Sequence, residues 1–302
     1  MTALRLLVAV LGIVVMATAC GPARGDASAA AGDRIRVVAT TTILADLVRQ
    51  VGGSRVTVES LVPKGGEAHT FDPTPSDVRR VVEADLIVRN GLGLDDWLLN
   101  LIQDAGAKAP VVALGEGLPG VTYVASGSEV NPHLWMNVGY ARGYAARIAA
   151  ELERLDPAHA DELAATARSY DARLATLDGD IRARLAAVPE ADRTIVSFHD
   201  AFPYFAAAYG LTVDGTVVDA PGQDPSAAQV EALIREIRAK GVKAILAEAQ
   251  FSDKLVRMIA DEAGATVVSD LYTDSVGDAP VDTYEAVMGW DADRLVEVLA
   301  GA

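Results

Sequence analysis

Past an apolar N-terminal run, the chain alternates short β-branched stretches with amphipathic ones, passes through a long helical tract, and then alternates again. Residues 35–39, 56–62, 85–88 and 110–114 read as strands, and 43–51, the stretch up to about Ala84 and 96–105 as helices. The helix before Ala84 opens at Thr74-Pro75-Ser76-Asp77, which supplies a cap, a proline for the first helical position and an acidic residue for the first turn. After Asn137 the texture changes to helix formers, interrupted only at Asp156-Pro157, where a second helix can restart. From Ala158 to about Val188, Leu163, Ala167, Tyr170, Leu174, Leu177, Ile181 and Leu185 recur at spacings of three and four. That is one face of a helix of roughly 30 residues, near 45 Å long.

A second block follows, with strands at 193–198, 244–248 and 266–269 and helices at 201–209, from Asp224-Pro225-Ser226 to Lys240, at 252–263 and at 282–299. The strand, polar junction and helix at 35–51 recur at 194–209, an echo of architecture rather than a sequence repeat. The pattern predicts an α/β protein of two lobes with mainly parallel sheets, bridged by one long helix. The expected segments are 1–19 as a signal peptide, 20–33 as a tether, 34–156 as an N-terminal lobe, 157–188 as the bridging helix and 189–302 as a C-terminal lobe.

The N-terminal run is different in kind. Arg5 precedes about 14 apolar residues, short of the ~20 that span a bilayer as a helix. Ala17-Thr18-Ala19-Cys20 resembles the bacterial lipobox, although Ala17 stands where Leu is usual. Cys20 would then be acylated and become the mature N-terminus, tethering an extracytoplasmic body to the cell membrane. It is the only cysteine, so no disulfide within the chain is possible.

Charge narrows the partners. The 302 residues carry a net charge of −16, which argues against nucleic acid and against adsorption to anionic lipid. A cation is compatible with it. Candidate chemistry lies in four polar junctions, at His69, His133, His199 and Asp274, separated by 64, 66 and 75 residues. No pair of them can meet on one helix or hairpin. Imidazole and carboxylate suit a borderline divalent cation, and loops beyond the carboxyl ends of strands are where open α/β sheets bind ligands. The remaining histidine, His159, sits near the start of the long helix without a distinctive setting.

Five stretches carry a resemblance: Gly65-Gly66-Glu67-Ala68-His69 with Asp72-Pro73-Thr74-Pro75-Ser76-Asp77; Asn90-Gly91-Leu92-Gly93-Leu94; Asn131-Pro132-His133-Leu134-Trp135; Ser197-Phe198-His199-Asp200-Ala201-Phe202; and Thr273-Asp274-Ser275. In this order they are similar to the TroA-like zinc and manganese receptors of bacterial ABC importers. The resemblance implies two α/β lobes bridged by a long helix. It also implies metal ligands at His69 and His133 from the first lobe and at His199 and Asp274 from the second. An ABC permease with its ATPase subunits is the implied partner of a monomeric receptor. This chain has no phosphate-binding Gly-x-x-x-x-Gly-Lys-Ser/Thr loop of its own. The histidine-rich loop of some zinc-specific relatives is missing, since residues 115–130 contain no histidine.

Three neutral imidazoles and a carboxylate make a four-ligand set, about 2.0–2.2 Å from a zinc ion. Manganese members of the class often have glutamate where His199 stands, so Zn2+ is the expected cargo, with manganese (or iron) as the alternative. Glu67, Asp200 and Glu248 are candidates to orient ligand rings. Ordinary imidazoles predict affinity falling between about pH 7 and 5. Rival readings are a cell-surface adhesin, a secreted zinc hydrolase and a siderophore or haem receptor. A hydrolase lacks its motifs here: there is no His-Glu-x-x-His, no Gly-x-Ser-x-Gly and no triad around Cys20.

Overall fold

The computed structural model describes residues 34–218 and 222–301. The signal segment 1–19, the tether 20–33 and Cys20 lie outside the described residues. The first lobe is built on β1 (Ile35–Ala39), β2 (Val56–Ser60), β3 (Leu86–Arg89) and β4 (Val111–Ala113), all parallel, in the order β2-β1-β3-β4. Helices α1 (Thr42–Gly52), α2 (Pro75–Glu83) and α3 (Trp97–Ala105) connect them. A two-stranded hairpin, β5 (Ala125–Ser126) and β6 (Glu129–Val130), then leads into α4 (Val138–Leu155).

After the bridging helix α5 (Ala160–Leu185) come β7 (Thr194–Ser197), α6 (Pro203–Tyr209), β8 (Thr212–Thr216), α7 (Ala227–Lys240), β9 (Ala244–Glu248), α8 (Lys254–Ala263), β10 (Thr266–Leu271) and α9 (Tyr284–Leu299). The second sheet is again parallel, in the order β10-β9-β7-β8. Read from its other edge, each lobe's second strand flanks its first, followed by the third and fourth. The echo at 35–51 and 194–209 is therefore a repeated topology. In both lobes the strand order reverses at the first strand, and the loops beyond the carboxyl ends there make a crevice.

Alternation along the strands explains the layers. Val37, Leu86 and Val88 of the first sheet and Ile195, Leu246 and Val268 of the second point into one continuous core. Val38 and Ile87 point the other way, onto Val81 of α2 and Leu98 of α3. Val196 and Ile245 likewise meet Leu233 and Ile237 of α7 and Val256 and Ile259 of α8. Both sheets are thus covered on both faces, as parallel sheets require.

The bridging helix is shorter than its sequence pattern suggests. Pro157–His159 forms a separate 3-10 turn, so α5 has 26 residues, about 39 Å. Leu163, Tyr170, Leu174, Ile181 and Leu185 are its buried face, against α1, α4 and α9. Each of those buried aliphatic side chains contributes about 1.5–3 kcal/mol relative to exposure. Strand β8 and the β5–β6 hairpin escape the sequence pattern. In β8, Asp214-Gly215 interrupts the apolar run where the pairing with β7 shifts register. Pro225 also stands outside its helix, since Ser226 is the cap of α7. None of the helices among the described residues is long and apolar enough to cross a membrane.

Candidate metal centre

Each of the four junction residues is delivered by a different device. His69 lies on the loop between β2 and α2, held by Trp97, whose Nε1 donates to the Ala68 carbonyl at 3.0 Å. His133 follows the β5–β6 hairpin, whose turn depends on Gly127 at φ 60°. Its approach is fixed by Asn90, which donates through Nδ2 to the Pro132 carbonyl at 3.0 Å and accepts from the Tyr144 hydroxyl at 2.7 Å. Asn90 is itself placed by the buried Asp95 carboxylate, which accepts from Asn90 N, Gly91 N and the Thr40 hydroxyl at 2.7–2.9 Å. The left-handed run Gly91-Leu92-Gly93, at φ 81°, 57° and 83°, wraps the chain around that carboxylate.

His199 follows β7 directly. Asp274 follows β10 after an irregularity at Asp270, φ 62°, which shifts the pairing with β9 and turns residues 273–275 toward the first lobe. There the Ser275 hydroxyl accepts from Gly65 N at 2.9 Å and from the Thr42 hydroxyl at 3.0 Å.

The structure brings all four residues together. One donor atom from each of His69, His133, His199 and Asp274 lies within 4.8 Å of the others. His133 Nε2 and His199 Nε2 are 3.2 Å apart. Asp274 Oδ1 is 3.5 Å from His133 Nε2, and its Oδ2 is 3.6 Å from His199 Nε2. In a tetrahedral site the edge between ligands is about 1.6 times the bond length, ~3.3 Å for zinc–imidazole bonds of about 2.0–2.1 Å. The observed edges match that scale. His69 Nε2 and both Asp274 oxygens are buried without a hydrogen-bond partner. Buried polar atoms are almost always satisfied, so three orphans converging on one point fit a site for a cation.

His159 is not part of the cluster. It pairs with Asp156 at 2.8 Å and meets Arg55 at 2.9 Å at the start of the bridging helix, a structural role.

Neighbouring groups aim the rings. His199 Nδ1 lies 2.7 Å from Glu248 Oε1, and the other Glu248 oxygen accepts from the Thr273 hydroxyl and, at 3.1 Å, from Gln250 Nε2. His133 Nδ1 lies 3.0 Å from Asn131 Oδ1. Both rings therefore carry a proton on Nδ1 and turn Nε2 toward the other residues of the cluster. Of the three acids expected to orient rings, only Glu248 does so directly. Glu67 instead accepts from His69 N at 2.8 Å, and Asp200 reaches His133 through Asn131. Asn131 and Thr273 lie in the stretches that carry the resemblance but have no role in the sequence expectation, although both stand within two residues of a predicted ligand.

The electrostatics separate the three imidazoles. Burial pushes His69 down to about 4, helped by the charge on His199, and drives His133 well below the usual histidine range. Burial pulls His199 down as well, but Glu248 outweighs it and holds the ring up at about 9. Asp274, buried among these groups, is raised above the usual carboxylate range, first by desolvation.

On the side of the three histidines the site opens into a cleft of about 680 Å3 between the lobes, lined in part by Leu92, Glu129, Asp200 and Asp214. Residues 37–298 match the family described as the periplasmic zinc-uptake complex component A. The chain belongs to that family. Its members are extracytoplasmic, non-catalytic receptors that serve ABC importers, and the bilobal fold here is theirs. The chain is 28% identical over 282 residues to the iron ABC transporter substrate-binding lipoprotein MtsA of Streptococcus pyogenes serotype M1, covering 90% of this chain and 91% of that protein. It is 28% identical over 298 residues to the manganese ABC transporter substrate-binding lipoprotein PsaA of Streptococcus mitis, covering 95% and 96%. The periplasmic zinc-binding protein TroA of Treponema pallidum superposes with a TM-score of 0.82 at 27% identity, over 88% of this chain and 99% of that one.

Proposed function

We propose that this receptor captures one first-row divalent ion with His69, His133, His199 and Asp274 and delivers it to a membrane permease. The observation that carries the reading is the set of buried, partnerless donor atoms, His69 Nε2 and both Asp274 oxygens, beside the facing Nε2 atoms of His133 and His199. Two ligands come from each lobe, so neither lobe alone completes the site. A lipid on Cys20 keeps the body beside its permease, and ATP hydrolysis belongs to other subunits.

The cargo follows from two opposing considerations. Donor chemistry favours zinc, since nitrogen-rich sites bind it more tightly than manganese. The relatives named for iron and manganese weigh the other way, and they favour manganese (or iron) as the ion carried in the cell. Affinity order and cargo differ whenever free zinc is kept scarce. The test is metal content and calorimetric titration of wild type and His133→Ala with Zn2+ and Mn2+. Stoichiometric binding by wild type and its loss in the variant are expected. A wild type that takes up neither ion ends the proposal.

A further inference from the structure

We propose that Asn131 and Asp200 form an interlobe latch, which sets the ring of His133 for the ion and couples that setting to lobe closure. The idea rests on the receptor reading above and adds two positioning residues to it. Asn131 is fully buried at the end of the β5–β6 hairpin. Its Oδ1 accepts from His133 N at 3.0 Å and lies 3.0 Å from His133 Nδ1. Its Nδ2 donates across the lobe boundary to the Asp200 carbonyl at 2.6 Å and to Asp200 Oδ2 at 3.0 Å.

These partners fix which end of the amide is which. The end facing Asp200 meets two acceptors and must be the NH2 group, and the other end meets a backbone N–H and must be oxygen. With oxygen beside it, His133 Nδ1 carries the ring proton and Nε2 is left with its lone pair. A neutral amide thereby chooses the metal-binding tautomer of His133.

The same amide senses the second lobe. Asp200 is the residue after His199, so one side chain joins the immediate surroundings of two candidate ligands from opposite lobes. Ser126 of the hairpin adds a bond to Asp200 Oδ2 at 2.9 Å. Tyr204 of α6 donates to the Asn131 carbonyl at 2.9 Å and accepts from Val124 N at 3.1 Å. The hairpin is thus stapled to the start of the second lobe at Val124, Ser126 and Asn131. Hydrogen bonds in series polarise one another, so the acceptor oxygens of Asp200 make Asn131 Oδ1 a better acceptor and His133 Nε2 a better ligand. When the second lobe draws away, Nδ2 loses both partners and that support ends. Opening the lobes and weakening His133 become one event.

The test is the rate at which the full chain, loaded with Co2+, surrenders its ion to excess EDTA, followed by the visible absorption of the bound cobalt. Asp200→Ala removes a charge-assisted partner while leaving Asn131 against His133, and release is expected about tenfold faster. Asp200→Asn keeps an oxygen for Ser126 and Asn131 and is expected to restore the rate to within about threefold of wild type. That rescue separates a latch from a simple effect of the Asp200 charge on the cation. The partly exposed Asp200 pair decides the question even if the buried Asn131→Ala variant does not fold. Equal release from wild type and Asp200→Ala overturns the latch, as does equally fast release from Asp200→Ala and Asp200→Asn. A wild type that fails to take up Co2+ overturns the receptor reading itself, and the latch with it.

Discussion

His133 Nε2 and His199 Nε2 face each other at 3.2 Å from opposite lobes, each with its Nδ1 proton committed to a different partner. Below about pH 9 His199 carries a second proton, on Nε2, which faces the lone pair of His133 Nε2, whereas the Asp274 carboxylate beside them has no hydrogen-bond partner to offset its burial. The free site therefore destabilises the closed form, and a cation removes the penalty. Addition of Zn2+ or Mn2+ is expected to raise the melting temperature, by about 4 kcal/mol of stability at a thousandfold excess over Kd. Asp274→Asn should show the reverse balance: a higher melting temperature without metal and little further gain with it. Calorimetric scans of both proteins with and without ion check this, and a lower metal-free melting temperature for Asp274→Asn contradicts it.

The pH response follows from the pairing of His199 with Glu248. With His199 held up at about 9, the free protein keeps a proton on that ring throughout the neutral range, and the ion must displace it. Affinity is therefore expected to rise with pH up to about 9, at about one decade per pH unit. At lower pH the raised Asp274 adds a second proton to displace, so the slope steepens. His69 and His133, both depressed, add little in the neutral range. Ordinary histidines would instead give a plateau above about pH 7. Competition titrations at pH 6, 7, 8 and 9 distinguish the two, and a plateau above pH 7 rules out the His199–Glu248 account.

Lobe motion is restrained at more points than the bridging helix. Tyr284, at the start of α9, donates its backbone N–H to Asp46 of α1 at 2.8 Å and its hydroxyl to the Trp135 carbonyl at 2.6 Å. Trp135 Nε1 in turn donates to the Thr273 carbonyl, beside Asp274, at 2.7 Å. With a continuous apolar core beneath these bonds, the metal-free and loaded forms should differ by a small rotation. Small-angle scattering should give nearly the same radius of gyration for both. Wide rigid-body opening in a metal-free crystal form would falsify the expectation.

Much of this was legible in the chain because the repeating unit has a strong local signal. Strands such as Ala244–Glu248 are short β-branched or apolar runs between clear breakers, and the four junction residues sit where those runs end. The weaker elements are those whose form depends on distant partners. The β5–β6 hairpin has only two residues per strand and is held by Tyr204 and Asp200 from the second lobe. The depressed and raised imidazoles are also invisible to spacing, because His199 owes its state to Glu248, 49 residues away. Asn131 could have been found, since a carboxamide two residues before a predicted ligand is well placed to reach its ring.

Asp291 offers a stability prediction with a definite sign. It is fully buried in α9, accepts from Tyr272 N at 3.0 Å through Oδ1, and has no partner at Oδ2. Desolvation raises its carboxyl well above the usual range; the Tyr272 bond opposes this and the Glu248 charge adds to it. The folded state thus holds a proton there that the unfolded chain releases near pH 4. Because the folded pKa is the higher one, this residue's contribution is full below pH 4 and is lost as pH rises toward the folded value. Asp291→Asn keeps an oxygen for Tyr272 N and carries no charge at any pH. The variant is expected to gain about 1–3 kcal/mol over wild type at pH 8 and to lose that gain at pH 4. Denaturant titrations at the two pH values measure it, and an equal loss of stability at both would show that the ionised carboxylate is needed by its surroundings.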